Sequence, residues 1–175
     1  MEVFDLYDEN RMKTGETMVR GSREPDGRYR LVVHIIIFNS KGEMLIQQRS
    51  SNKSSNANMW DFSVGGCVVA GETPLQGAQR EVFEELGISV EFERKIPGFT
   101  IVFKHKFDDY YIIKKDIDLN EVVLQKDEVQ AVKWVGKDEV LNLLRNGEFI
   151  KYKEGLIEFI YSFKDKNYGA FEKKV

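Results

Sequence analysis

A helix with defined ends, set between strand-like segments, constrains the fold of this chain more than any other feature. Thr73 predicts an N-cap, Pro74 suits the first helical position, and Gln76 completes a capping box with Thr73. Gly87 predicts the end, because glycine accepts the left-handed backbone that follows many helices. We therefore predict a helix from Pro74 to Leu86. Its apolar stripe, which would pack on a sheet, comprises Leu75, Ala78, Val82 and Leu86.

Strand-like segments flank this helix on both sides. LVVHIIIF at 31–38 is rich in β-branched residues, and an NSKG turn joins it to MLIQQR, which predicts a hairpin. After the helix, ISVEF, TIVFKHKF and VQAVKWV are predicted strands. YYIIK is predicted to form a hairpin with TIVFKHKF, with the turn at Asp108 and Asp109. KDEVLNLLRNG and EGLIEFIYSF predict two further helices. Because hairpins require antiparallel pairs, we predict an α/β fold with a mixed sheet.

Composition and charge exclude several classes of function. The 175 residues suit one domain with a real core. With a net charge of −3, the chain lacks the excess of basic residues expected of a nucleic-acid-binding protein. The longest apolar run is too short to span a bilayer. Cys67 is the single cysteine, so no disulfide forms within the chain, and the N-terminus lacks the pattern of a secretory signal. We expect a cytoplasmic protein that binds neither nucleic acid nor a membrane.

Three glutamates lie close together on the predicted helix. Glu81, Glu84 and Glu85 fall within roughly a 100° arc, where each like-charged pair destabilises an exposed helix by about a few tenths of a kcal/mol. One explanation is a solvated acidic face held by salt bridges, since Arg80 stands four residues before Glu84. The other is a divalent cation, because Mg²⁺ and Mn²⁺ bind carboxylate, water and phosphate oxygens. Such a cation would neutralise phosphate charge and lower the pKa of bound water.

The segment from Gly66 to Ile88 resembles the signature of the Nudix family, the Nudix box. That signature is a glycine, five residues, a glutamate, seven residues and then R-E-U-x-E-E-x-G-U, where U is apolar. Every defined position agrees, and these positions are Gly66, Glu72, Arg80, Glu81, Val82, Glu84, Glu85, Gly87 and Ile88. The resemblance implies an α/β fold, the Nudix α/β/α sandwich with a mixed central β-sheet. We predict an N-terminal extension at 1–30 and the Nudix domain at 31–175, within a single globular domain.

The resemblance also implies the chemistry of the site. Glu81, Glu84 and Glu85 would be catalytic and would bind Mg²⁺, with Mn²⁺ as the alternative. The backbone carbonyl of Gly66 would contribute a further metal ligand. The implied reaction is hydrolysis of a nucleoside diphosphate linked to another group, or of a similar small-molecule diphosphate, by attack of water at phosphorus.

Four more residues have supporting roles under this resemblance. Arg80 would orient the glutamates through ion pairs, Glu72 would brace the loop, and Gly87 has a structural role in the motif. The general base varies within the family between a glutamate of the box and one from a later loop. Glu128, at the start of VQAVKWV, is the candidate for the later one, although a plain surface charge before a strand explains it as well.

Arg49 and Trp60 are candidate substrate-binding residues outside the box. Arg49 ends the strand MLIQQR and could bind phosphate in bidentate fashion, or it is a surface arginine. Trp60 begins the strand that leads into the box and could stack on a base, although packing in the core is the simpler explanation.

Two alternative functions stay open. IFNSKGEMLIQQRS and MWDFSVGG also look similar to isopentenyl-diphosphate isomerases, which share the fold, but DFSVGG lacks the catalytic cysteine that those enzymes carry shortly after the tryptophan. The other alternative is a non-catalytic, nucleotide-sensing domain, which would have no need of three carboxylates on one helix. In the isomerase-like branch, the extension at 1–30 would help cover the sheet or form a homodimer contact.

Overall fold

A seven-stranded mixed sheet forms the centre of the fold in this computed structural model, which describes residues 2–164. A two-stranded hairpin precedes the sheet, one α-helix lies between two of its strands, and two α-helices follow its last strand within the described residues. The strands are β1 (Val3–Tyr7), β2 (Lys13–Val19), β3 (Arg30–Phe38), β4 (Met44–Arg49), β5 (Trp60–Asp61), β6 (Val64–Cys67), β7 (Phe99–Phe103), β8 (Lys106–Lys114) and β9 (Val129–Val135). The helices are α1 (Pro74–Leu86), α2 (Lys137–Arg145), α3 (Glu154–Ser162) and a 3-10 turn at Leu119–Glu121.

The long apolar strand β3 organises the sheet. The strand order is β5–β4–β3–β8–β7, with β6 paired to β3 and β9 paired to β4. β3 and β8 run parallel from Arg30 opposite Lys106 to Phe38 opposite Lys114, whereas the other pairs are antiparallel. The predicted mixed sheet is confirmed, and so is the hairpin between β3 and β4, which pairs Phe38 with Met44.

Helices cover both faces of this sheet and bury two separate cores. Successive strand residues point to opposite faces. Val33 and Ile35 therefore pack in the core that contains α1, whereas Ile36 and Phe38 pack in the core that contains α2 and α3. This arrangement is the predicted α/β/α sandwich. Residues 165–175, the end of the predicted domain, lie outside the described residues.

Helix α1 begins and ends where the sequence predicts. The Thr73 hydroxyl accepts a hydrogen bond from the Gln76 backbone at 3.3 Å, and Gln76 Oε1 accepts one from the Thr73 backbone at 2.8 Å, which closes the capping box. Gly87 follows the helix with a left-handed φ of 68°. A Cβ atom at Gly87 would lie 2.8 Å from the Val123 Cβ, so this position excludes any side chain.

The first 30 residues contain a hairpin that the sequence analysis missed. β1 and β2 pair antiparallel in a sheet of their own. Phe4, Leu6 and Met18 are buried, and they pack against Cys67 and Val69, at the end of β6 and just beyond it. Apolar alternation within VFDLY is the local signal of β1, but it is too short to predict the pairing.

Two other local predictions were wrong. Asp108 and Asp109 do not form a turn, because they lie inside β8 and the β7–β8 turn is at Lys104 and His105. ISVEF at 88–92 is not a strand. Both predicted C-terminal helices are confirmed as α2 and α3. No helix within residues 2–164 combines the length and apolarity needed to cross a membrane.

Candidate active site

Glu85 is a buried carboxylate on the sheet-facing side of α1. It is 5% exposed, one residue before the core residue Leu86. Gln47 of β4 donates a hydrogen bond from Nε2 to Glu85 Oε2 at 3.0 Å. Burial, followed by the neighbouring charge of Glu81, holds the pKa of Glu85 well above its usual range. A negative charge at Glu85 is therefore costly unless a cation lies beside it.

Glu81, one helical turn earlier, is packed directly against strand β6. A Cβ atom built on Gly66 would lie 2.1 Å from the Glu81 carboxyl carbon, so only glycine allows the carboxylate to take this place. The side chain of Glu81 is 13% exposed. Burial raises the pKa of Glu81, and the nearby guanidinium of Arg80 opposes that shift.

Arg80 connects the loop before α1 to the glutamates. Its Nε and Nη2 donate to the two oxygens of Glu72 at 2.8 and 3.1 Å, and Nη2 also donates to the Cys67 carbonyl at 2.9 Å. Its Nη1 donates to both Glu81 and Glu84 at 2.9 Å. These hydrogen bonds, with that to Glu72 the largest cause, raise the pKa of Arg80. The guanidinium therefore fixes the carboxylates in place and is not free to bind a ligand.

Glu84 differs from the other two glutamates because its side chain is 46% exposed. Its ion pair with Arg80 has the i,i+4 spacing that the solvated-face explanation requires. That explanation suffices for Glu84. A solvated face does not account for Glu85, which is buried, or for Glu81, whose side chain is largely buried against Gly66.

The described residues contain no cluster of three or more His, Cys, Asp or Glu side chains arranged to hold a metal ion. Two neighbouring carboxylates nevertheless fit a hard cation, because Mg²⁺ commonly binds one or two carboxylates and completes its shell with water and phosphate oxygens. Glu81 and Glu85 supply such a pair, and burial makes the charge of each less favourable. The donor set therefore suits Mg²⁺ or Mn²⁺ better than softer metals.

A cleft of about 150 Å³ opens over these glutamates. Its carboxylates are Glu81, Glu84, Glu85, Glu128 and Glu2. Its basic side chains are Arg20, Arg49 and Lys53, and Gly66 also lines it. Anionic and cationic groups therefore converge in one open site, as recognition of a metal-bound phosphate requires.

Glu128 reaches the cleft through the loop that follows the 3-10 turn. The Val123 and Gln125 backbone N–H groups donate to the carbonyls of Leu86 and Glu85 at 3.0 and 3.2 Å, which attaches this loop to the end of α1. The Glu128 carbonyl accepts a hydrogen bond from Ser50 at 2.8 Å. Its carboxylate forms an ion pair with Lys53. The predicted later-loop glutamate thus lies in the same cleft as the box glutamates.

Arg49 lies in the cleft, and Trp60 does not line it. Nη2 of Arg49 donates to the Ser55 carbonyl at 3.2 Å, whereas its buried Nε has no hydrogen-bond partner among residues 2–164. Trp60 packs at the edge of the core beneath α2 and α3, with the Lys133 ammonium 4.7 Å from its ring centroid. The substrate-binding role of either residue stays a prediction.

Sequence reasoning missed several residues of the site. Gln47, Lys53, Gln125, Glu2 and Arg20 all reach it from segments distant in the chain. None belongs to a recognisable motif, so they can be found only from their positions in the folded structure.

Comparison with known proteins settles the family. The family model described as "NUDIX domain" matches residues 28–154. The chain belongs to the Nudix family. An uncharacterised Nudix hydrolase of Listeria monocytogenes is 45% identical over 152 residues, which cover 87% of this chain and 90% of the relative. A crystal structure of a Deinococcus radiodurans protein matches with a TM-score of 0.73 and 25% identity, and covers 91% of this chain and 97% of that one.

The similarity to isomerases also has a counterpart among these relatives. An isopentenyl-diphosphate Δ-isomerase of Streptomyces coelicolor is 33% identical over 87 residues, but the match covers 50% of this chain and 44% of that protein. Two Listeria Nudix hydrolases match more of this chain, 87%, at a higher identity of 45% and 43%. The class of enzyme predicted from the Nudix box, a Nudix hydrolase, is therefore confirmed.

Proposed function

We propose that this Nudix protein hydrolyses a diphosphate bond in a small molecule, a nucleoside diphosphate linked to another group or a similar diphosphate, with Mg²⁺ or Mn²⁺ as cofactor. The observation that carries the proposal is that buried Glu85 and largely buried Glu81, whose charges burial makes unfavourable, line a cleft that also contains Arg49. The excess of carboxylates and the net charge of −3 argue against a nucleic-acid substrate.

Glu81 and Glu85 would hold the cation, with Glu84 and the Gly66 carbonyl as further ligands. When bound, the cation would neutralise phosphate charge and make a bound water acidic enough to attack at neutral pH. Arg80 would keep Glu81 and Glu84 oriented through the hydrogen bonds already described. One phosphate of the substrate would bind beside these ligands, at the cation that they hold.

Arg49 and Glu128 would act on the substrate and on the attacking water. The guanidinium of Arg49, which lines the cleft, would donate to a phosphate oxygen. A Glu128 carboxylate oxygen would accept a proton from the water while the water oxygen bonds to phosphorus and the bridging P–O bond breaks. Lys53 pairs with Oε2 of Glu128, so Oε1 would be the oxygen that accepts the proton.

The test is a turnover screen of wild type and Glu85→Gln. The panel contains nucleoside-diphosphate sugars, dinucleoside polyphosphates, coenzyme A, nucleoside triphosphates and isopentenyl diphosphate, each with Mg²⁺ or Mn²⁺. We expect hydrolysis of at least one diphosphate, with a loss of about a hundredfold or more in the variant, because it lacks a metal ligand. Glu158→Gln, at an exposed helical position in α3, is the matched control and should retain full activity.

Three results would overturn this proposal. Conversion of isopentenyl diphosphate into its isomer without hydrolysis would assign the isomerase reaction. Hydrolysis that persists at the wild-type rate in Glu85→Gln would place the metal site elsewhere. Binding of nucleotides without turnover of any substrate would support the sensing alternative.

A further inference from the structure

The N-terminal hairpin brings a second arginine to the rim of the carboxylate cleft. β1 and β2 pair so that Val3 lies opposite Val19, and the Arg20 backbone N–H donates to the Glu2 carbonyl at 2.9 Å. This register places the Glu2 and Arg20 side chains together at the open end of the hairpin. Arg20 Nη1 lies 2.6 Å from Glu2 Oε2, and both side chains line the cleft.

The hairpin is held firmly beside the strand that carries Gly66. Phe4 is fully buried, and Met18 packs with it against the residues that follow Gly66 in the chain. The Ala70 backbone N–H donates to the Val3 carbonyl at 2.7 Å, and the Gly71 backbone N–H donates to Asp5 Oδ2 at 2.9 Å. These contacts fix the base of the hairpin, so Arg20 is presented to the cleft from a rigid element.

Two other cations near the glutamates are already engaged. Arg80 donates to three carboxylates and a carbonyl, and Lys53 is paired with Glu128. Arg20, by contrast, has a side chain that is 57% exposed, and its pairing among residues 2–164 is with Glu2, which is itself 43% exposed. Such an ion pair between exposed groups is weak, so an anion with more charge can displace the Glu2 carboxylate.

We propose that Arg20 binds a phosphate of the substrate at the rim of the cleft, and that Glu2 holds the guanidinium in place until the phosphate replaces it. The proposal rests on the function proposed above for the cleft. It makes Arg20 a specificity-determining residue for ligands with two linked phosphates. One phosphate lies beside Glu81 and Glu85, and the other is bound by the Arg20 guanidinium at the rim.

Binding of imidodiphosphate, a diphosphate whose bridging nitrogen resists hydrolysis, tests this role without relying on turnover. Calorimetric titration in Mg²⁺ compares wild type with Arg20→Gln, Arg20→Lys and Glu2→Gln. We expect affinity to fall about tenfold in Arg20→Gln and less in Arg20→Lys, which keeps the charge but loses the forked geometry. Glu2→Gln should bind as tightly as wild type or more tightly, because the competing carboxylate is gone.

Arg28→Gln is the matched control. Arg28 forms an ion pair with Glu16 of β2, and neither residue is among those that line the cleft. Loss of the Arg28 charge should therefore leave the affinity for imidodiphosphate unchanged. Melting temperatures of all variants check that the fold is intact. With a turned-over substrate, Arg20→Gln should raise KM more than it lowers kcat.

Three outcomes overturn the proposal. The first is unchanged affinity for imidodiphosphate in Arg20→Gln. The second is an equal loss of affinity in Arg20→Gln and Glu2→Gln, which would mean that the ion pair is only structural. The third is the absence of imidodiphosphate binding by wild type. Failure of the proposed hydrolysis gives a different result. In that case imidodiphosphate binds, Arg20→Gln weakens it, and no diphosphate of the panel is turned over.

Discussion

Replacing Glu85 with glutamine should stabilise the metal-free protein while it removes activity. In wild type the carboxylate is 5% exposed, and its charge is opposed by burial and by the charge of Glu81. Glutamine has nearly the same shape and removes that charge. Its side-chain oxygen can still accept the hydrogen bond that Gln47 Nε2 now gives to Glu85. The substitution therefore removes an unfavourable charge and keeps the favourable contact.

The expected gain follows from proton linkage. A raised pKa in the folded state means that this group favours folding fully below its unfolded pKa. That contribution is lost as pH rises through the folded value. A tenfold difference in acidity between the folded and unfolded states corresponds to about 1.4 kcal/mol. We expect Glu85→Gln to raise the free energy of unfolding by about 1–2 kcal/mol at about pH 8, a common size for a stabilising substitution. For a chain of this length, that is a rise of about 2–8 °C in melting temperature.

The assay is thermal unfolding in EDTA from about pH 5 to about pH 8, with Glu158→Gln as control. The advantage of Glu85→Gln should grow with pH, and the control should match wild type. Saturating Mg²⁺ should then raise the melting temperature of wild type and leave the variant unchanged, because only the wild-type cleft binds the ion. A metal-free variant less stable than wild type at the upper pH would refute the reasoning.

Three further substitutions test how the loop and helix support the site. Gly66→Ala should weaken Mn²⁺ binding in a metal titration and destabilise the fold by about 1–3 kcal/mol, because its Cβ would fall 2.1 Å from a buried carboxyl carbon. Arg80→Lys should lower the free energy of unfolding by about 1.5–3 kcal/mol in urea denaturation, because an ammonium cannot make the two-nitrogen contact with Glu72. Gly87→Ala should cost about 1 kcal/mol or more by the same method, because φ is 68° and Val123 occupies the space.

The parts of the fold that local signals determine were predictable from sequence. Thr73, Gln76 and Gly87 act within one helix and its caps, and the structure contains that helix with the expected ends. The turn placed at Asp108 and Asp109 was wrong because turn propensity is a weak local preference. Pairing of β8 with β3 along nine residues outweighs it and buries both aspartates.

Much of the site depends on contacts between distant segments, which local patterns do not encode. Gln47 contacts Glu85 across 38 residues, and Lys53 contacts Glu128 across 75. Arg20 reaches the cleft only because β1 and β2 pair and dock on β6. The spacing of the Nudix box therefore identified the helix that carries the glutamates, whereas most of the other residues that line the cleft were found only from the structure.

Calorimetric titration of Mn²⁺ into wild type and Glu85→Gln tests the central claim, that Glu81 and Glu85 together hold a divalent cation. The account predicts binding to wild type that strengthens as pH rises, because the cation must displace protons from carboxyls whose pKa values burial has raised. It predicts little or no binding to Glu85→Gln. Equal Mn²⁺ affinity in the two proteins, or no binding to wild type at any pH, would contradict it.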